Sequence, residues 1–150
     1  MTTSYHYVES GLDNVVIEGM APCVDDAGEE VYFIANILGL HKVIAHGIIT
    51  HVVGISPREL RFLRTEMGLT QAELANVVKK DHQTVGRWER GETPLDQNAE
   101  AVIRAIAAQR LEIDPELSME EIAERCVPSA AVVRIIIDGS DPSDYKLKAA

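Results

Sequence analysis

Gln83 and Arg87 stand one helical turn apart in a short stretch whose apolar residues, Val85 and Trp88, fall on the opposite side. Two long side chains with forked, planar hydrogen-bonding ends would project together from a helix pinned from behind, the geometry of a recognition helix. Other chemistries find no such support. No serine or cysteine sits in a nucleophile motif, no glycine-rich phosphate loop occurs, and no His-Glu-x-x-His helix appears. His41, His46 and His51 recur every five residues. On a helix each is turned about 140° from the last, so they cannot share a metal. His41 falls on an apolar face and is expected as a hydrogen-bonded core residue. The expectation is a protein without catalytic site, cofactor or metal. A small hydrolase using the N-terminal histidines is the weakest alternative.

The 150 residues can bury one good core or a compact module with smaller appendages, and 46% hydrophobic residues argue against disorder. The apolar stretches are broken by Gly39, His41, Lys42, His46 and Gly47, and neither a signal peptide nor a membrane span is expected. Cys23 and Cys126 are far apart, as incidental thiols of a reduced cytoplasmic protein would be. A formal net charge of -10 speaks at first against nucleic acid, since phosphate neutralisation supplies most non-specific affinity. Its distribution reverses that. Between Pro57 and Arg90, Arg58, Arg61, Arg64, Lys79, Lys80, Arg87 and Arg90 outnumber Glu59, Glu66, Glu73, Asp81 and Glu89. Before this segment Lys42 is the only lysine or arginine, against Glu9, Asp13, Glu18, Asp25, Asp26, Glu29 and Glu30; after it, six cations face twelve acids. A mildly basic patch in an acidic body confines contact with a polyanion to one face.

The elements that must position Gln83 and Arg87 are marked by caps. Ser56-Pro57-Arg58-Glu59 is a strong helix start, with Ser56 as N-cap, proline at the first helical position and Glu59 as capping-box partner. This first helix is expected to reach Met67, ended by Gly68. Thr70-Gln71-Ala72-Glu73 is a second capping box, opening a helix to about Val78. Asp81 can cap a third over 82–90, closed by Gly91, and a fourth is expected over about 96–109 with Val102, Ile103 and Ile106 turned inward.

Outside this run, residues 5–8 and 14–18 suit a small β-hairpin, and the apolar rhythm over 34–52 predicts a helix weakened by Gly39 and Gly47. Ser118 opens a short helix to Cys126, the β-branched stretch 131–137 reads as a strand, and the tail 138–150 either returns as a strand at 145–147 or frays. Trp88 and Cys126 are expected in the core. The acidic run Glu120, Glu121, Glu124 is expected as a solvated face.

The run from Leu60 to Ala75, with Val85-Gly86-Arg87-Trp88-Glu89-Arg90-Gly91 and Pro94, strongly resembles the helix-turn-helix of the Xre family, which includes Cro and lambda-type repressors. The resemblance implies a mainly α (α+β) fold: a lambda-repressor-like bundle flanked by the N-terminal hairpin and helix and by a C-terminal helix/strand extension. It implies that Gln71 touches the phosphate backbone near its helix N-terminus, where free N–H groups favour an anion. By the same resemblance His82, Gln83 and Arg87 meet base edges, His82 being equally readable as solvated surface, and Arg64 pairs with Glu89 in a structural role. Gln can pair bidentately with adenine and Arg with guanine, each discriminating by about 1 to 3 kcal/mol. Thr84 and Arg90 complete the expected DNA-binding set. In the turn, Lys79 and Lys80 stand where the family has a glycine and a small hydrophobe. If Lys79 takes the left-handed conformation, the strain is on the order of 1 kcal/mol; both ammonium groups would then flank the phosphate backbone.

The N-terminal part, with Ser10-Gly11-Leu12-Asp13-Asn14-Val15, Cys23, Gly28-Glu29, Leu40-His41 and Ile44-Ala45, more faintly resembles antitoxins of the MqsA type. Those carry zinc on two Cys-x-x-Cys pairs. Here Cys23 stands alone, and the part is expected to be a metal-free relative. The expected organisation is 1–54 as partner or dimerisation region, 55–110 as DNA-binding domain and 111–150 as an extension that also serves dimerisation. The function expected is a homodimeric repressor on double-stranded DNA with a palindromic operator, extending to an autoregulating antitoxin with a cognate toxin. The alternative is a protein-interaction adaptor that keeps the fold without specific DNA contacts.

Overall fold

A computed structural model describes residues 3–128 and 132–148. Among them are six helices and six strands: β1 (Ser4–His6), β2 (Val15–Glu18), β3 (Cys23–Val24), β4 (Glu30–Val31), α1 (Ile37–Ile49), α2 (Pro57–Glu66), α3 (Gln71–Val77), α4 (His82–Glu89), α5 (Gln97–Arg110), α6 (Met119–Arg125), β5 (Ile135–Asp138) and β6 (Lys146–Leu147). They fall into two compact units, residues 1–44 with 134–150, and residues 45–133. No helix among the described residues is long and apolar enough to cross a membrane.

In the first unit the expected hairpin forms, with β1 antiparallel to β2. It belongs to a larger sheet of order β1-β2-β5-β6, in which β2 and β5 run parallel with Val15 opposite Ile135 and Ile17 opposite Ile137. These four side chains are at most 3% exposed, while the alternate residues are partly open, the period-two pattern of a sheet covered on one face. The strand expected over 131–137 starts later, at Ile135; Ala131 lies outside the described residues. Of the two fates left open for the tail, it returns: β6 pairs antiparallel with β5, and the Tyr145 hydroxyl donates to the Ala35 carbonyl at 2.5 Å. The helix expected over 34–52 is shorter at both ends. Asn36 sits at φ 55°, outside helical backbone, and its side chain accepts from the Gly39 N–H, so the helix opens only after it. His41 meets the Tyr7 hydroxyl at 2.9 Å and is partly buried.

In the second unit α2, α3 and α6 each open on a complete capping box, built by Ser56 with Glu59, Thr70 with Glu73, and Ser118 with Glu121. Each box satisfies two backbone donors that the helix leaves orphaned, stabilising by about 1 kcal/mol. Four helices end in the same way. A left-handed residue, Gly68, Lys79, Gly91 or Glu112, turns the chain so that the next N–H reaches back to a carbonyl of the last turn. Short connections follow, and the apolar faces close on Leu60, Leu63, Leu74, Val85, Trp88 and Ile103.

Of the three α5 residues expected to turn inward, Ile103 does so fully and the other two do not. Val102 is 37% exposed and Ile106 only half-buried, and α5 turns inward with Ala99, Glu100, Ile103, Arg104 and Ala107. The inward arc is rotated toward small and charged residues because Arg104 and Glu100 have polar groups to meet inside.

Candidate nucleic-acid interface

Three elements place the outward residues. Asp81 caps α4, accepting from the Thr84 N–H at 2.9 Å and from its hydroxyl at 3.2 Å, which fixes where the helix begins. Val85, Gly86 and Trp88 are buried, so the helix can lie only one way up. His82, Gln83 and Arg87 consequently face solvent, with Thr84 half-buried beside them. Gly86 lets α4 approach the start of α3: a Cβ there would stand 3.0 Å from an Arg90 nitrogen and 3.4 Å from the Gln71 amide oxygen.

Gln71 is half-buried at the first turn of α3 and donates to Glu89 at 3.1 Å. Glu89 is held chiefly by Arg64, whose Nε and second terminal nitrogen reach its two oxygens at 2.5 and 3.0 Å. Arg64 also donates to the Leu69 carbonyl at 3.0 Å, tying α2 to the α2–α3 turn and to the end of α4. The Glu89 carboxylate holds the Arg64 guanidinium above its usual pKa. Arg64 and Glu89 thus position the two helices and are spent on each other, with side chains only 15% and 5% exposed.

The α3–α4 turn departs from a glycine-based one. Lys79 adopts φ 60°, and the Lys80 N–H returns to the Ala75 carbonyl at 2.9 Å, so the left-handed turn is kept despite the side chain. Lys79→Gly is expected to raise the unit's stability by up to about 1 kcal/mol by removing that strain. A urea midpoint below the parent's would mean the lysine stem contributes packing that outweighs it.

Among the described residues Lys79, Lys80 and Arg87 take part in no ion pair, and all three are exposed. Arg90, also exposed, is engaged by Glu92 at 3.0 Å. Acids do stand near this face. The Asp81 carboxyl is held below its usual pKa first by the Thr84 N–H and in smaller part by Arg87; Glu92 is held down by its bond from Arg90. The face therefore offers three uncommitted cations, one imidazole and one amide around α4. That arrangement can neutralise phosphates at its rim and present planar hydrogen-bonding groups at its centre.

A polar cluster in the same unit was not legible in the sequence. Arg104 is fully buried and donates to the carbonyls of His51 at 2.7 Å and Val53 at 2.6 Å, and to Glu100 at 2.6 Å. Glu100 also accepts from the Ile55 N–H at 3.3 Å. His51, 5% exposed, bonds Glu59, whose other oxygen accepts from the Ser56 N–H at 2.8 Å. Arg125 donates to the Thr50 carbonyl at 2.7 Å. Two guanidiniums thus satisfy carbonyls at and beyond the C-terminus of α1, where cations are favoured. The only signal in the sequence was the i, i+4 spacing of Glu100 and Arg104, which ordinarily marks a surface pair. Burial lifts the Cys126 thiol beside this cluster to about 11. Among the described residues no group of three or more His, Cys, Asp or Glu is placed to hold a metal ion.

The helix-turn-helix family model matches residues 60–113, which span α2 to the end of the α5 cap. No curated protein and no solved structure matches the chain. Capped helices, the outward face of α4 and this match support the class: a DNA-binding transcription regulator. The match covers about a third of the chain, and within it residues 60–113 are similar to the Xre-like helix-turn-helix.

Proposed function

We propose that this chain is a sequence-specific repressor that reads the major groove with α4 and binds DNA as a twofold dimer. The observation that carries the reading is the exposure of Gln83 and Arg87 on the face of α4 opposite buried Val85 and Trp88. In this reading Gln83 and Arg87 meet base edges, with His82 and Thr84 beside them. Lys79, Lys80, Gln71 and Arg90 contact phosphates, Arg90 after exchanging Glu92 for the backbone. Residues 55–110 form the DNA-binding domain. One module covers one half-site, so two copies and a palindromic operator with half-sites about one helical turn apart are needed for tight binding.

The segments 1–54 and 111–150 supply the dimer contact. Support comes from Phe33 and Leu38, 75% and 85% exposed, which a second copy would cover. The finer role is that of an antitoxin repressing its own operon, supported by the faint N-terminal likeness to MqsA-type antitoxins and by the acidic balance of that part.

The test separates specificity from affinity. Binding sites are first selected from random duplexes. Parent, Arg87→Ala and Lys80→Ala are then titrated on the selected and a scrambled duplex at several salt concentrations. Arg87→Ala should lose about 1 to 3 kcal/mol on the selected site and little on the scrambled one. Lys80→Ala should weaken both and make the logarithmic salt dependence shallower by about one unit, because one fewer counterion is released. If Arg87→Ala bound both duplexes as the parent does, the adaptor alternative, a fold kept without base contacts, would replace this reading.

A further inference from the structure

Asp81 occupies the N-cap of α4, at the end of the helix whose residues meet base edges in the reading proposed above. Both donors of Thr84 fall on its Oδ1, the N–H at 2.9 Å and the hydroxyl at 3.2 Å. An ionised carboxylate has about four acceptor positions on its two oxygens, so capping leaves part of that capacity for another donor. Asp81 is exposed and takes part in no ion pair among the described residues. Its carboxyl is held below its usual pKa chiefly by the Thr84 N–H, and Arg87 stands near enough to add to that effect. The group is therefore an ionised acceptor within electrostatic range of a residue assigned to base edges.

Capping alone does not account for an acid here. Ser56, Thr70 and Ser118 cap three other helices with a hydroxyl, and serine caps about as well as aspartate. On a face that is to meet phosphates a carboxylate carries a cost that a hydroxyl does not, because like charges brought together at an interface weaken binding. Glu92, also near this face, is answered by Arg90 at 3.0 Å. No basic side chain answers Asp81 in the same way among the described residues.

We propose that Asp81 is a specificity-determining residue that selects a cytosine, by accepting from its exocyclic amino group in the major groove. The inference rests on the DNA reading above and deepens it. In that groove only cytosine N4 and adenine N6 carry donors, whereas guanine and thymine present acceptors that a carboxylate repels. Adenine also sets its N7 acceptor beside the amino group, so cytosine is the base that offers a donor and no acceptor of its own.

Full-length parent, Asp81→Ser and Asp81→Asn are each put through selection from random duplexes, then titrated on the parent's selected site, on versions of it changed at single positions, and on a scrambled duplex. Both replacements are good caps, so far-UV circular dichroism and the thermal midpoint should stay close to the parent's. The parent should select cytosine at one position of each half-site, and changing that base should weaken its binding about tenfold. In Asp81→Ser the preference for that cytosine should vanish while the preference lost in Arg87→Ala is kept, and the scrambled duplex should be bound more tightly because a negative charge is gone. Asp81→Asn should admit adenine at the same position, its amide pairing with N6 and N7. If Asp81→Ser selects the parent's site unchanged and gains equally on selected and scrambled duplexes, Asp81 is a cap alone, and this assignment falls while the DNA reading stands. A parent that selects no sequence overturns the DNA reading, and this assignment with it.

Discussion

Arg104→Met is expected to lose about 3 to 5 kcal/mol of stability, the cost of removing one partner from a buried pair. The methionine approximates the volume of the stem but carries no donor. Glu100, 3% exposed, would lose its charged partner and keep the long bond from Ile55, and the carbonyls of His51 and Val53 would lose their guanidinium donor. A domain of ordinary stability has about 5 to 15 kcal/mol in total, so the variant should be partly unfolded at physiological temperature. The cost is offset slightly, because Arg104 Nε is already buried without a partner among the described residues. Urea denaturation followed by far-UV circular dichroism measures the loss. The double variant Glu100→Leu with Arg104→Met should recover part of it, since no buried charge remains, but not all, since the stranded carbonyls persist. A single variant within about 0.5 kcal/mol of the parent would mean that water reaches the cluster and the burial is not as described.

Arg64→Ala should cost about 3 kcal/mol, the lower end of the same range, because the Arg64 side chain keeps 15% of its surface in water. What remains on Glu89 is the single bond from Gln71, too weak to hold a carboxylate that is 5% exposed. Leu69 loses its carbonyl donor at the same time. Glu89 directly follows Trp88, so the change should appear in the near-ultraviolet signal of that indole as well as in the thermal midpoint. Adding Glu89→Gln to Arg64→Ala removes the uncompensated charge and should restore about half of the loss. An unchanged melting curve for Arg64→Ala would show that the pair is solvated and that α2 and α4 are not joined through it.

The two losses have different origins although both remove an arginine from a carboxylate. Arg64 joins helices within the segment that resembles its family, and its role was carried by that resemblance. Arg104 joins α5 to the chain leaving α1, residues that share no motif. A local pattern can announce the first kind of contact, whereas the second exists only once distant segments meet.

Local signals decided the helix boundaries of the second unit. A capping box is a contact between residues three apart, and a left-handed C-terminal residue acts on its own turn, so α2, α3, α4 and α6 were fixed by what lies within a few positions. The outward face of α4 followed from the same sequence, since Val85 and Trp88 left it one side to bury. Even the departure at Lys79 was settled locally: a Schellman turn supplies enough backbone hydrogen bonding to carry a lysine at positive φ.

Tertiary structure alone decided three things. It brought β5 alongside β2 in parallel, because a pairing between residues 15–18 and 135–138 has no turn between its strands to announce it. It turned α5 so that Val102 faces outward and Arg104 inward, since the free energy of satisfying carbonyls beyond α1 belongs to no window of the sequence around Arg104. It placed Glu100, Gly54 and Trp88 around one cleft, for concavity is a property of several elements at once. Short-range hydrogen bonding and helical period are written in neighbouring residues; buried charge and open space arise only from the packing of residues far apart in the chain.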